Sequence, residues 1–373
     1  MADILGVGLS HYPGPLVPAK DWPRMLKRNV DIGRVKPDVF ADRSRWPKPM
    51  QAEWGGDDGV AAAREHEARL LAGYRVLRRA IDEFKPDLVI VWGDDQFENF
   101  RKDCVPPFCV YIFDQVVCRP YGGGRRPFHT EDNAWGLPNE TELVIKGHRD
   151  AAAGLARYLL EHDFDISYAH EVRAESGLAH SFNNTVVFLD RERRGFPYPV
   201  IPFHVNCYGN QLMETAAGAR GQGMAGRSPP APSPRRCFEI GRATARYFKE
   251  SPWRAVLIGS SSWSHGSLTA KHGRLYPDLA ADRALYDDLA AGRMARWGDI
   301  PLADIEDAGQ HEVLNWVCLA GAMSELGQKP EIVDYVETYL FNSSKCFALF
   351  PPAGAGSATA MGAGTRAAAR AAP

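Results

Sequence analysis

Short apolar runs and longer stretches of helical periodicity alternate along the chain. Residues 3–10 alternate small and apolar side chains and predict a short buried strand that delivers Ser10 and His11 at its C-terminal end. Over residues 60–84, Leu70, Leu71, Tyr74, Leu77, Ile81 and Phe84 recur at helical spacing, and Lys85-Pro86 stops that helix. DLVIVW at 87–92 follows as a buried strand. The order then repeats: 141–162 is helical in pattern, 165–172 is strand-like, and YPVIPFHVN at 198–206 is another strand. A Gly, Pro and Ser-rich surface loop at 218–236 leads into a helix at 237–249. Residues 254–262 read as a strand, and the last clear helix spans 311–326 with Val313, Trp316, Val317 and Ala320 on its apolar side.

Strands alternating with helices predict a layered α/β fold with active-site groups on the loops that leave the strand ends. Residues 1–352 read as one domain. Residues 353–373, rich in Ala and Gly and without apolar periodicity, read as a disordered tail. The charged, Trp-containing stretch between Asp21 and Asp58 is a long insert that either covers a pocket or forms an interface.

Composition narrows the partners. A net charge of −2 over 373 residues leaves no broad basic field for nucleic acid or an anionic membrane surface, so a small-molecule partner is expected. No run approaches the ~18 to 20 apolar residues of a membrane span, and the N-terminus lacks a signal-peptide pattern, which predicts a cytoplasmic protein. The 7 cysteines are scattered without a C-x-x-C pair and read as reduced, mostly buried thiols.

Among 11 histidines, His11, His180, His204 and His265 follow or interrupt strand-like segments, whereas His66 and His162 sit on helical patterns beside charges and read as solvent-facing. His11, directed by the rigid turn Tyr12-Pro13-Gly14, is either a functional group or a hydrogen-bonded core histidine. Glu312 opens a helix, where a carboxylate serves the helix dipole or a site. GDDQFENF at 93–100 sets two adjacent acids, Asp94 and Asp95, after the strongest strand; such carboxylates call for a metal, a cation or water. His148 in KGHRDAA, His180 in GLAHSFNNT and His265 in SSSWSHGS are each set among small or polar residues, which fits convergence on one pocket. Tyr12, Trp92, Phe97, Phe182, Trp263 and Trp316 flank these segments and read mainly as core packing. Arg101, Arg173 and Lys146 are cations available to a substrate carboxylate, and the sequence selects none of them.

This set of segments, in order and spacing, resembles the class III extradiol dioxygenases, the superfamily of the protocatechuate 4,5-dioxygenase beta subunit and the gallate dioxygenases. The resemblance covers about residues 3–352 and rests on the N-terminal strand ending in Ser10-His11, PDLVIVWGDDQFENF, KGHRDAA, GLAHSFNNTVVFL, VIPFHVN, VLIGSSSWSHG and GQHEVLNW. It implies a layered α/β/α fold with a central mixed sheet, and a facial site of two histidines and a glutamate that holds Fe(II) and leaves positions for a catecholic substrate and O2. His11 matches the first histidine ligand and Glu312 the glutamate. His180 is similar to the acid/base histidine and His148 to a second catalytic histidine, while Asn206, His265, Ser264 and Tyr12 fall in segments like the substrate-binding wall. The resemblance also implies a homo-oligomer, a homodimer by analogy, acting in aromatic compound catabolism.

One departure changes the expectation. Where many members carry Asp-His, this chain has Asp95-Gln96, so Gln96, Asp95 or Asp94 stands where the second histidine ligand would be. Either an amide or a carboxylate there predicts weaker iron retention and tolerance of Mn(II), Mg(II) or another divalent ion. The expected function is metal-dependent extradiol cleavage of a catechol-like or gallate-like ring. The alternatives are a different metal-assisted oxidation or hydrolysis on the same fold, or a non-catalytic paralogous subunit.

Overall fold

A computed structural model of the chain describes residues 2–101, 103–122, 128, 130, 132–209 and 229–352. The expected tail at 353–373 and most of the expected loop at 218–236 lie outside these residues.

The strands are β1 (Ile4–Leu9), β2 (Leu88–Gly93), β3 (Phe108–Tyr111), β4 (Gln115–Cys118), β5 (Leu143–Lys146), β6 (Ser167–Ala169), β7 (Val200–Val205), β8 (Ala255–Ser260), β9 (Glu331–Val336) and β10 (Lys345–Phe350). The α-helices are α1 (Arg24–Asp31), α2 (Pro37–Ala41), α3 (Lys48–Trp54), α4 (Val60–Phe84), α5 (Arg149–Glu161), α6 (His180–Leu189), α7 (Pro234–Glu250), α8 (Leu279–Ala290), α9 (Leu302–Asp307) and α10 (Val313–Leu326). Eight strands form one mixed sheet in the order β6-β3-β7-β2-β8-β1-β10-β9, and β4 pairs with β5 in a separate ribbon. The central four, β7, β2, β8 and β1, are mutually parallel, while β3 and β10 run antiparallel to their inner neighbours.

The central strands are buried along their whole length, as parallel strands covered on both faces must be. Their alternation divides the core into two. Leu88, Ile90 and Trp92 of β2 join Leu155, Ile240 and Val317 from the α5, α7 and α10 side, whereas Val89 and Val91 face Leu77, Ile81 and Val186 of α4 and α6. The expected layered α/β/α arrangement with a mixed sheet is therefore present. All seven cysteines are free thiols, six of them buried and Cys104 exposed.

α4 occupies the stretch expected and ends where Lys85 turns left-handed (φ 52°) before Pro86. The expected helix at 141–162 is corrected: Leu143–Lys146 is a strand, and only Arg149–Glu161 is helical. Residues 143–146 pair antiparallel with β4, and Gly147 packs closely on Phe113, where a Cβ would meet its carbonyl oxygen. His66 is likewise not solvent-facing. It is buried edge-on between Trp22 (5.9 Å) and Phe341 (5.3 Å), because the inserted segment covers that face of α4.

α7 and α10 cross at glycines. A Cβ on Gly241 would run into the Cys318 carbonyl oxygen, and one on Gly321 into that of Phe238. Backbone cannot yield as a side chain can, so Gly241→Ala is expected to cost about 2 to 3 kcal/mol of stability, read as a lower urea midpoint. An unchanged midpoint would show that the two helices are free to separate.

Candidate functional site

Because β7, β2, β8 and β1 are parallel, the loops that leave them all emerge at one edge of the sheet. They carry Asn206 to Tyr208, Asp94 to Phe100, Ser261 to His265, and Ser10 with His11. The N-terminus of α10, with Glu312 at its N-cap position, joins them there, held by Trp316 Nε1 donating to the carbonyls of Leu9 and Ser261 (both 3.2 Å).

His11 is aimed by β8. Its Nδ1 donates to the Ser260 carbonyl (3.0 Å), which turns Nε2 toward two buried acids, 3.3 Å from Glu312 Oε2 and 3.6 Å from Asp94 Oδ1. His265 is fixed in the same way, with Nδ1 on the Trp263 carbonyl (2.8 Å) and Nε2 at 3.5 Å from Glu312 Oε2. The other Glu312 oxygen accepts from the Tyr208 hydroxyl (2.5 Å) and from Gln96 Nε2 (3.1 Å). Gln96 Nε2 also lies 3.4 Å from Asp94 Oδ2, and Asn315 Nδ2 lies 3.5 Å from Asp94 Oδ1.

The two carboxylates respond differently to the same enclosure. Burial pushes the Asp94 carboxyl up, and the neighbouring Glu312 charge adds to this. Burial acts on Glu312 too, but His265 and His11 beside it, together with the hydrogen bond from Tyr208, outweigh it and hold Glu312 below the usual carboxylate range. Two acids and Nε2 of an imidazole thus face one small volume, a donor set suited to a divalent cation. The spacing agrees, since donors ~2.1 Å from one ion lie about 3 to 4.2 Å apart. His180 joins the set: ligand atoms of His11, Asp94 and His180 all lie within 4.8 Å of one another.

His180 opens α6, its ring edge-on to His11 with centroids 5.2 Å apart. Glu98 accepts from both its backbone N–H (3.1 Å) and its Nδ1 (2.8 Å), fixing the ring so that Nε2 is the free edge. Burial would lower the imidazole's proton affinity, but the charge and hydrogen bond of Glu98, with Asp94 and Glu312 behind, raise it to about 10. The side chain is 28% exposed, open to a molecule entering the site.

Of the residues singled out in the sequence, His11, Glu312, Gln96, His180 and His265 are brought together. Gln96 comes as a donor that ties the two acids, its amide nitrogen facing Asp94 and Glu312. Asp95 is turned away. Its carboxylate accepts the backbone N–H groups of Glu98 (2.9 Å), Asn99 (2.9 Å) and Phe100 (3.4 Å), capping the turn in which Phe97 is left-handed, and Asp94 faces the cluster instead.

His148 is not at the site. It caps α5, accepting from the Ala151 N–H (3.3 Å), and packs against Trp253 (5.2 Å), which lies two residues before β8 and so at the opposite edge of the sheet. Ser264 is committed to structure, donating to the Ala308 carbonyl (2.5 Å) and accepting from the Asp278 N–H (2.7 Å). Tyr12 packs in the core against Trp22 (5.5 Å), with the Lys345 ammonium 3.7 Å from its ring centre. Asn206 stands half-buried at the functional edge, two residues before Tyr208.

Sequence reasoning missed Tyr208 and the role of Glu98. Their partners lie 104 and 82 positions away, so no local motif marks them; a polar residue just past a strand end is the one signal they offer.

No protein-family model matches the chain. It is 25% identical over 305 residues to a 2,3-dihydroxyphenylpropionate/2,3-dihydroxicinnamic acid 1,2-dioxygenase of Paraburkholderia phymatum, covering 70% of this chain and 83% of that protein. The enzyme of the same name from Burkholderia vietnamiensis is 25% identical over 309 residues, with the same coverage of both chains. Among solved structures, an uncharacterized protein from Escherichia coli K12 superposes with a TM-score of 0.44 and 12% identity, covering 75% of this chain and 92% of that one.

Proposed function

We propose that this chain is a metal-dependent extradiol dioxygenase that opens a catechol-like ring, with His11, Glu312 and Asp94 holding Fe(II) and His180 moving protons. The observation that carries the reading is the convergence of His11, Asp94 and Glu312 on one volume beside an oriented Glu98–His180 pair. Sequence similarity to enzymes named as dioxygenases supports both the class III extradiol superfamily and the activity. We take residues 1–352 as one catalytic unit, supported by the pairing of β1 with β10 from the far end of the described chain.

In the overall reaction one ring C–C bond beside the diol breaks, both atoms of O2 enter the product, and no external reductant is consumed. Held by His11, Glu312 and Asp94, a divalent ion would supply Lewis acidity and a route for electron transfer from the diol to O2. The chain's own residues do the rest. With its proton affinity raised by Glu98, His180 donates a proton from Nε2 to the reacting oxygens, while Glu98 keeps the ring in a single orientation. Gln96 and Tyr208 hold Glu312, and Gln96 and Asn315 hold Asp94, so that the two acids keep their spacing during turnover. Tyr208 and its stacked partner His311 (centroids 5.2 Å apart, 16° between planes) form a flat wall beside Glu312.

A second reading draws on Asp94. A donor set with two carboxylates suits harder ions such as Mn(II) or Mg(II), and with them metal-assisted chemistry other than ring opening. Anaerobic purification, determination of the bound metal, and oxygen uptake with catechols, gallates and aminophenols after Fe(II) or Mn(II) loading separate the two. Uptake matched by a yellow ring-opened product is expected. Tight metal binding with no uptake across the panel would shift the assignment to the second reading.

A further inference from the structure

Asp282 lies in the first turn of α8, where an acid ordinarily faces solvent and answers the helix dipole. Here the residue is fully buried, and among the described residues it forms no ion pair, whereas Asp278, four positions earlier, pairs with Lys271. A carboxylate taken out of water is costly unless hydrogen bonds compensate it. Asp282 Oδ1 accepts two, from the Ser264 N–H (2.9 Å) and from Gln310 Nε2 (2.8 Å), and both donors are buried as well.

The two donors belong to different segments, and each stands beside a residue of the site. Ser264 lies between His265 and Trp263, whose carbonyl holds His265 Nδ1 (2.8 Å). Gln310 lies two residues before Glu312, and its carbonyl accepts the Val313 N–H (2.9 Å) that opens α10. The same segments also touch directly. The His265 N–H donates to the Gly309 carbonyl (2.9 Å) and Ser264 Oγ to that of Ala308 (2.5 Å). They run so close that a Cβ on Gly309, whose φ is 67°, would come within 2.9 Å of the His265 carbonyl oxygen. Those contacts reach Ala308 and Gly309, and the Asp282 tie is one residue nearer Glu312, at Gln310. From a third element, Asp282 therefore spans the seam across which His265 Nε2 stands 3.5 Å from Glu312 Oε2.

We propose that Asp282 is a positioning residue that sets the spacing of His265 and Glu312, and through it the strength with which the site holds a divalent ion. The assignment rests on the reading of Glu312 as a metal ligand given above and adds a determinant from outside the donor set.

The test compares the full chain with Asp282→Leu, of similar size but without an acceptor, Asp282→Asn, whose amide oxygen can still accept both bonds, and Gln310→Met, which removes one donor. Hydrogen exchange of the metal-free proteins is followed by mass spectrometry. In Asp282→Leu, peptides spanning 263–268 and 310–316 are expected to exchange at least ~10-fold faster, with those from the central strands unchanged. Mn(II) affinity, read by calorimetry, is expected to fall ~10 to 100-fold. Asp282→Asn restores both to within ~3-fold of the parent. Gln310→Met weakens binding in the same direction, and Asp282→Leu/Gln310→Met is no weaker than Asp282→Leu alone, because both changes act on one tie. A structural role alone would speed exchange throughout the fold and spare the affinity of the folded protein. Unchanged exchange and affinity in folded Asp282→Leu, exchange raised evenly through the fold, or losses that add in the double variant would each overturn the proposal. Should Asp282→Leu fail to fold, Gln310→Met decides, and parent-like exchange and affinity in it overturn the proposal. Mn(II) binding that Glu312→Ala abolishes and Asp282→Leu leaves intact removes the role of Asp282 alone. No Mn(II) binding by the parent, or binding that Glu312→Ala does not weaken, removes the metal-ligand reading, and exchange at 263–268 and 310–316 then decides whether Asp282 sets the spacing.

Discussion

Glu312→Ala is expected to lose its metal and with it all measurable ring opening. Glu312 contributes Oε2, which faces both His11 and His265, and its removal leaves Asp94, among the described residues, as the acid facing His11 Nε2. Changes behind a ligand typically cost ~10 to 100-fold in metal affinity or activity, so removal of the ligand itself is expected to exceed ~1,000-fold in kcat/KM. Gln96→Ala, which removes only the amide tie between the acids, is expected to stay within that lower range. Metal content after gel filtration and oxygen uptake on the same samples provide the check. A Glu312→Ala protein that keeps stoichiometric metal would place the ion elsewhere, with the His11, Asp94 and His180 set as the remaining arrangement. The metal-loaded parent is also expected to melt higher than the metal-free form. A cation relieves the repulsion between Asp94 and Glu312, and binding to the folded state alone stabilises it.

His180→Ala is expected to lower kcat by ~100 to 10,000-fold, the usual contribution of a positioned acid–base group, while bound metal stays at the parent level. The pairing of these two readouts gives the experiment its force, because His180 lies close enough to His11 and Asp94 to act as a ligand instead. Loss of metal together with activity would assign it to the ligands. Glu98→Gln is expected to fall between parent and His180→Ala. It keeps a hydrogen-bond acceptor near Nδ1 but removes the charge that contributes most to holding the proton on the ring.

Much of this site can be read locally. A buried strand followed by a polar residue marks each place where the chain emerges at the functional edge, and His11, Asp94, Gln96, Asn206 and His265 all stand at such places. Glu312 is legible too, as a carboxylate at the start of a long apolar helix. Local pattern did less well with direction. Asp94 and Asp95 are adjacent, and once the strand has ended its two-residue alternation no longer says which faces inward. The turn decides it, since three backbone N–H groups claim Asp95. His148 sits in a segment as promising as that of His180, yet β3 runs antiparallel to β7 and the chain after it returns to the opposite edge, where Gly147 bonds to Asp114.

By itself, then, the sequence determined the alternation of strands and helices, the polar strand ends and the identity of the donors, because burial period and turn chemistry act over a few residues. Tertiary structure alone decided which donors meet. His11 takes its orientation from Ser260, 249 positions away, and Glu312 is held by Tyr208, 104 positions away. Those distances are closed by the order β7-β2-β8-β1 and the common direction of its strands, which depend on how whole elements bury their faces against one another.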